Sequence, residues 1–490
     1  MQNCHLYGSA ALKKRGAKNS KGEDGMKTKT LQNPEEWAVE TFGTAELGDV
    51  RRTDRLVKLA SALGENPSVS LPASMRNWAD THAAYQFLAN PAINHEQIMA
   101  PHFTQTYQEA AERSQVLLIG DTTDVNLSTH KATTGLGPVG RSNKAKGFFV
   151  HSVLAVDAKD KQLLGCIGQQ PFVREPAPKG ETRAERNKRW RESLIWEESI
   201  EQIGPVPART QWIYVGDRGS DIFRFWQRCQ ELGYDHVTRV AQNRNVLVEE
   251  EDECEDPTAH HLKTLARSLP AQGVMVMTIA AQHGHPERDA LLNISWSPVA
   301  IQPPVDGTAL HITQVKASLV RVWEPEPPQG VEALEWILVT SVTVNTTEDA
   351  WQRVTWYKWR WFVEDFHKVL KTGCLLEDRC LQTVDAMCNL LAILTPTAMR
   401  LLWLRQTAQV APDTPATEVI SKEVIQVVLH LDKRPKATLT ARDLWRTIAR
   451  FGGYLDRKSD PPPGWQTLWK GWIRVQTILE GVYLARQFSP

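Results

Sequence analysis

The sequence predicts an α/β fold class: a mixed sheet in the middle of the chain, carrying a β-rich insertion, with helical domains on both sides. Three observations predict it. QVLLIGD at 115–121 and QWIYVGD at 211–217 are apolar runs of strand length, each closing on an aspartate. Residues 245–335 are rich in short alternating strands and loop residues and lead into another apolar run, EWILVTSVTV. Before residue 95 and after residue 405, apolar residues recur at helical spacing instead.

Taken in order, residues 1–33 are polar and basic without periodicity, the composition of a disordered leader, within which Met26 is a second candidate start. Residues 34–95 read as a helical domain. NPEEWAVETF, LGDVRRTDRLVKLASAL and MRNWADTHAAYQFLAN are its helices, with a break at NPSVSLPAS. Arg51, Arg52 and Arg55 cluster at the start of the second helix. Residues 96–405 form the largest domain. Its first strand delivers Asp121 to its C-terminal end, and KGFFVHSVLAVDAKDKQLLGCIGQQ reads as a hairpin turning at KDKQ. A long amphipathic helix over 181–203 precedes the strand that ends in Asp217; YDHVTRVAQNR, the insertion at about 245–335, EWILVTSVTV and a helix over 350–372 follow. Residues 406–490 are helical after a polar linker at 406–418 and are interrupted by SDPPPG.

Bulk properties narrow the function classes. Fifty-seven basic residues balance fifty-seven acidic ones, which argues against a general polyanion binder. The charge is uneven: 13–29, 51–55 and 183–191 are basic and 249–256 is acidic, so a local DNA footprint is permitted, as is a set of solvated faces. Seven scattered cysteines without a CxxC pair argue against structural zinc and for a reducing, cytoplasmic setting. No apolar run approaches the roughly 20 residues of a membrane span, so no membrane partner is expected.

The stretch WYKWRWFVEDFHKVLK (356–371) concentrates chemistry. On one continuous helix Tyr357, Arg360, Glu364 and Lys371 fall at about 0°, 300°, 340° and 320°, within an arc of roughly 60°. A carboxylate bracketed by phenol, guanidinium and ammonium suits a phosphate ligand with a metal between acid and phosphate. The same residues also suit a plain surface helix with a Glu364–Lys368 ion pair. Together with Asp121 and Asp217, Glu364 completes three carboxylates on two strands and a later helix, the pattern of a ribonuclease-H-like fold. Three such acids can hold two divalent ions for in-line phosphoryl transfer, and Mg2+ prefers oxygen ligands. GLGPVG at 135–140 matches a dinucleotide-binding fingerprint, but only seven polar residues separate it from the next strand, too few for a crossover helix.

These motifs resemble those of the bacterial DDE insertion-sequence transposases, specifically the Tn-five-like group of the IS-four superfamily. The resemblance rests on the Y-x2-R-x3-E-x6-K spacing of Tyr357, Arg360, Glu364 and Lys371, on Asp121-Thr122-Thr123, and on Asp217, Arg218, Asp221 and Ile222 in D-R-x-x-D-I. It continues through FVHSVL, W-x-L-x-T-S at 336–341, IARFGGYLDRK and WQTLWKGW, and so spans about residues 34–485.

The resemblance implies a cut-and-paste transposase that binds element ends in double-stranded DNA through 34–95 and pairs them as a homodimer through 406–490. It nicks DNA to free a 3′-hydroxyl, forms and reopens hairpin ends, and joins them to target DNA. Asp121, Asp217 and Glu364 would hold two Mg2+ ions per site, with Mn2+ substituting. Tyr357, Arg360 and Lys371 would grip phosphates, Arg51, Arg52 and Arg55 would read the ends, and Trp336 would serve base flipping. Two other readings share the motifs: a metal-dependent nuclease on the same fold, and a catalytically silent DNA-binding inhibitor of transposition.

Overall fold

The structure, a computed structural model, describes residues 34–75, 77–140, 144–176, 178–182, 185–186, 189–247, 261–279, 287–304, 314–432, 438–458, 460 and 462–488. The leader, the acidic block 249–256 and part of the basic run 183–191 lie outside the described residues.

Four helices of two turns or more open the described chain, α1 (Pro34–Phe42), α2 (Val50–Glu65), α3 (Trp78–Leu88) and α4 (His95–Ala111), with a single helical turn at Leu71–Ser74 between α2 and α3. The local sequence starts them cleanly. The Asp49 side chain accepts from Arg51 N–H to cap α2, and Asn77 caps α3 by accepting from Asp80 N–H. Helix α4 was not among the helices expected from the sequence, although its signal is present: Asn94 and Gln97 form a reciprocal capping box.

The sheet contains β1 (Gln115–Asn126), β2 (Gly137–Val139), β3 (Ala145–Asp157), β4 (Leu163–Phe172), β5 (Gln211–Gly216), β6 (Asp235–Arg239), β7 (Val246–Leu247), β8 (Gly273–Ile279), β9 (Arg288–Ile301), β10 (Val315–Trp323) and β11 (Glu335–Thr340). Its order is β2-β3-β1-β5-β6-β11-β10-β9-β7, with β4 on β3 and β8 on β9. Only β1–β5 and β5–β6 pair in parallel; the other pairs are antiparallel, so the insertion extends the central sheet.

Both faces are covered, as parallel strands require. Leu117 and Ile119 point to one face, where they share a core with Phe366 and with Leu390 and Leu394 of a long helix described below. Val116 and Leu118 point to the other, joining Trp212 and Tyr214 of β5 and residues of α5 (Ile195–Ile203) and α6 (Phe223–Leu232). All four β1 residues are fully buried. This two-residue alternation places Asp121 on the first face and Thr122 on the second. The GLGPVG stretch forms β2, antiparallel to β3, and opens no helix; the dinucleotide fingerprint is a coincidence of sequence.

Several expectations need correction. Strand β1 does not end at Asp121 but runs on to Asn126, because β3 pairs with it along its whole length. The helix expected over 181–203 is interrupted rather than continuous: Arg186 N–H bonds Thr182 O and Arg189 N–H bonds Glu185 O in helical fashion, then Arg191 is extended, a 3-10 turn spans Glu192–Leu194, and α5 follows. After α7 (Leu262–Ser268), the helix expected over 350–372 is three pieces: α8 (Thr347–Lys358), α9 (Trp361–Lys368) and a π turn over Val369–Gly373. At the first break the bonding tightens to i→i−3, with Arg360 N–H on Tyr357 O, Phe362 on Trp359 and Val363 on Arg360.

Helix α10 (Val384–Val410) absorbs residues 406–410 of the expected linker, and α11 (Lys422–Leu431), α12 (Ala441–Phe451) and α13 (Trp465–Phe488) complete the chain. By length and composition α10 would pass for a membrane span, but it is a core helix, packed among α2, α3, α4, β4 and α12. Trp469 and Trp472 are buried in the same helical core, as expected of packing residues.

Candidate active site

The two aspartates sit at matched positions. The parallel pairing of β1 with β5 ends at Ile119↔Val215, and Asp121 and Asp217 each lie two residues beyond it. Past that point β1 is held on one side only, by β3, and the strands open into a lip. Asp121 is oriented locally: its Oδ1 accepts from Thr122 N–H at 2.8 Å. Asp217 caps the 3-10 turn that follows β5 and accepts from Gly219 N–H at 2.7 Å. Asp221, part of the same sequence motif, has a different task. It is 5% exposed and accepts from Ala241 N–H and Gln242 N–H, both at 2.6 Å, and from Arg244 Nε at 3.0 Å, tying the loop after Asp217 to the loop after β6.

Glu364 reaches the lip from α9. Arg360 lies between it and the strands, with Nη1 3.2 Å from Asp121 Oδ2 and Nη2 donating to Glu364 Oε1. The ion pair Glu364–Lys368 weighed for a plain surface helix is therefore not the one that forms; Lys368 lies 3.9 Å from Asp365 instead. Burial pushes the Asp121 carboxyl up to about 7; Arg360 pulls it down, while Asp217 and Glu364 push it up further. The three acids thus repel one another across a partly desolvated lip.

Three clustered carboxylates with a single guanidinium among them suit a hard divalent cation. Among the described residues, no three His, Cys, Asp or Glu side chains already converge as a cage. The guanidinium of Arg360 bridges Asp121 and Glu364, and it is the group a cation would have to replace there. The donor set fits the metal.

The remaining predicted residues divide. Tyr357 is 5% exposed, and its ring meets that of half-buried Trp336 edge-on at 5.3 Å. The Arg360 guanidinium lies 5.9 Å from the Tyr357 ring, so Trp336, Tyr357 and Arg360 form a continuous path to the acids. Lys371 sits to the side, 3.3 Å from Asp124 and 3.6 Å from Glu377. Those two acids were not singled out from the sequence; the only signal was the spacing of Asp124 three residues after Asp121.

Arg51, Arg52 and Arg55 form a separate group on α2. Arg51 pairs with Asp49 yet is 87% exposed, Arg52 donates to Leu47 O, and Arg55 shares Asp80 with Lys58. The structure does not bring them to the acids.

Three family models match the chain in order. A transposase DNA-binding model covers residues 34–93, a transposase DDE domain covers 192–397, and a transposase Tn5 dimerisation domain covers 397–490. The DDE match includes Asp217 and Glu364 but begins after Asp121, which joins them through the pairing of β1 with β5.

Proposed function

The chain belongs to the Tn5-like DDE transposases, metal-dependent enzymes that cleave DNA, and from that premise we propose that it carries out cut-and-paste transposition with Asp121, Asp217 and Glu364 as its catalytic acids. The observation that carries the residue assignment is the lip: two aspartates equally far past the end of a parallel strand pair, with Arg360 linking one of them to Glu364.

Asp121, Asp217 and Glu364 would hold two Mg2+ ions, with Mn2+ able to substitute, and the chemistry supplied there would be activation of the attacking hydroxyl and stabilisation of the leaving oxygen. The chain's own residues do the rest. Thr122 N–H holds one Asp121 oxygen and leaves the other facing the site. The Arg360 fork suits a phosphate as well as a carboxylate, so with the acids otherwise engaged it pairs with the scissile phosphate. Lys371, tethered to Asp124 and Glu377 at the edge, takes a flanking phosphate. Attack by water on one strand frees a 3′-hydroxyl. That hydroxyl attacks the opposite strand to close a hairpin, and Trp336, backed by Tyr357, accepts the base displaced by the bend. Water reopens the hairpin, and the ends join target DNA. Helix α2 reads the element ends through Arg51, Arg52 and Arg55, and the C-terminal helices pair two copies.

Glu364→Gln tests the assignment, because it keeps the shape of the side chain and removes its charge. End binding should persist while nicking in Mg2+ falls by several orders of magnitude, since every ligand serves the same displacement. Nicking at the wild-type rate, followed on labelled DNA, would remove Glu364 from the site.

A further inference from the structure

On the sheet face opposite Arg360, side chains from β1, β3, β5 and α5 are hydrogen-bonded in a row beside the end of the β1–β5 pairing, where Tyr214 still pairs with Leu118. Thr122 Oγ1 lies 2.8 Å from His151 Nδ1, His151 Nε2 lies 3.0 Å from the Tyr214 hydroxyl, and that hydroxyl lies 3.3 Å from Ser199 Oγ. Ser199 Oγ donates to Trp196 O at 2.8 Å. His151 and Tyr214 are 0% exposed and Ser199 is 2% exposed, so water does not complete these bonds. The chain also reaches the second aspartate. The Trp196 ring meets His151 edge-on at 4.7 Å, and a Cβ added at Gly216 or Gly219, on either side of Asp217, would lie 3.2 Å from that ring. Next to Asp121, a Cβ at Gly120 would fall 2.0 Å from the Tyr214 hydroxyl oxygen, so glycine is what lets the chain close.

The proton positions follow from one end. A carbonyl only accepts, so the single Ser199 hydroxyl proton is committed to Trp196 O. Tyr214 must then donate to Ser199, leaving its oxygen to accept from His151 Nε2–H. His151 Nδ1 is therefore bare and accepts from Thr122. Every link has one donor and one acceptor in a single direction, and the imidazole is neutral, consistent with burial that lowers its pKa to about 3. A buried chain satisfied in only one arrangement is rigid, because any other arrangement strands a polar group at a cost of about 1–3 kcal/mol.

We propose that Thr122, His151, Tyr214 and Ser199 are positioning residues that fix Asp121 relative to Asp217 by tying the unpaired end of β1, through β3, back to β5 and α5 next to the last paired residues. None of the four touches the reacting atoms. The proposal rests on the reading that these aspartates hold the cations, and it adds a device on the far side of the sheet that sets their separation.

The test uses the full-length protein without DNA, which keeps it independent of transposition. Tyr214→Phe keeps the ring and removes the acceptor for Nε2–H. Thr122→Val keeps the shape and removes the donor to Nδ1, whereas Thr122→Ser keeps the donor. Mn2+ affinity, measured by electron paramagnetic resonance, should weaken about tenfold in Tyr214→Phe and Thr122→Val, in the range expected when a partner of a metal ligand is lost. Thr122→Ser should stay near the wild type, and affinity for end DNA should not change. In protein with 15N-labelled histidines, His151 should carry its proton on Nε2 in the wild type and move it toward Nδ1 in Tyr214→Phe. If Tyr214→Phe does not fold, the contrast between the two Thr122 variants decides. Unaltered Mn2+ affinity in folded Tyr214→Phe or Thr122→Val, or a wild-type His151 protonated on Nδ1, overturns the positioning role alone. A wild-type protein that binds no Mn2+ overturns the ligand assignment and this role with it.

Discussion

Asp121 is expected to weaken the metal-free fold. Its carboxyl titrates at about 7 in the folded chain against a reference of 3.8, chiefly because it is buried. Between those values the folded state retains a proton that the unfolded chain has released. Stability from this group is therefore full below about pH 4, falls as pH rises through the window, and is level above about 7. A shift of roughly three units corresponds to about 4 kcal/mol at 1.36 kcal/mol each, an upper figure because part of the side chain still meets water. Asp121→Asn removes the charge and keeps an oxygen for Thr122 N–H. In a chelating buffer at pH 8 it should unfold at a higher temperature than the wild type, and the gap should shrink as pH falls from 7 towards 4. Mg2+ should then stabilise the wild type more than the variant, since a ligand raises stability only where it binds the folded state. Thermal denaturation across that pH range checks this. An Asp121→Asn variant less stable than the wild type at pH 8, or a gap indifferent to pH, would refute the reasoning.

Two further outcomes test recognition and hairpin closure. Replacing Arg51, Arg52 and Arg55 together by Ala should abolish preference for the element ends and leave a weak, salt-sensitive affinity for any DNA, because base-edge contacts discriminate whereas phosphate contacts do not; anisotropy titrations at several salt concentrations would show an undiminished preference if another element is the reader. Substitution is a cleaner test than deleting the helices, since Arg379 donates to Val69 O and Pro67 O and Asn389 to Leu88 O, so deletion would strip α10 of its cover. Trp336→Ala should leave first-strand nicking near normal and slow hairpin closure about 10- to 100-fold, the loss of one base-stacking contact of roughly 1–3 kcal/mol. Trp336 is only half-buried, with an edge-on contact to Tyr357 worth about 0.5–1.5 kcal/mol, so the variant should fold; equal loss of both steps with a lowered melting temperature would make Trp336 a core residue instead.

How much was legible in the sequence depended on whether a feature was local. The strands carrying Asp121 and Asp217 were readable because a buried parallel strand must be apolar on both faces. The true end of β1 was not, since TTDVN is polar and only pairing with β3, distant in sequence, keeps it extended. Helical periodicity identified the 350–372 region but not its break, which comes from i→i−3 bonding at Trp359 and Arg360. Within the expected 181–203 helix the interruption is the extended Arg191, beside which Arg189 pairs with Glu181 and Trp190 Nε1 donates to Glu198 at 2.7 Å, contacts that periodicity does not encode. The acids, Arg360 and Glu364 were all nameable from the motif; that the guanidinium would bridge two acids, and that His151 would join β1 to β5, required three dimensions.

The most direct measurement is the fate of DNA carrying the element's terminal repeats when incubated with the protein and Mg2+. The account predicts an early nick with a free 3′-hydroxyl, then a hairpinned end that runs as a longer single strand on a denaturing gel, and then joined target DNA. Accumulation of nicks or linear breaks without hairpin or joined products would reveal a nuclease; specific binding with no cleavage in any divalent ion would reveal a silent end-binding protein. Either result contradicts the transposition mechanism proposed for Asp121, Asp217 and Glu364.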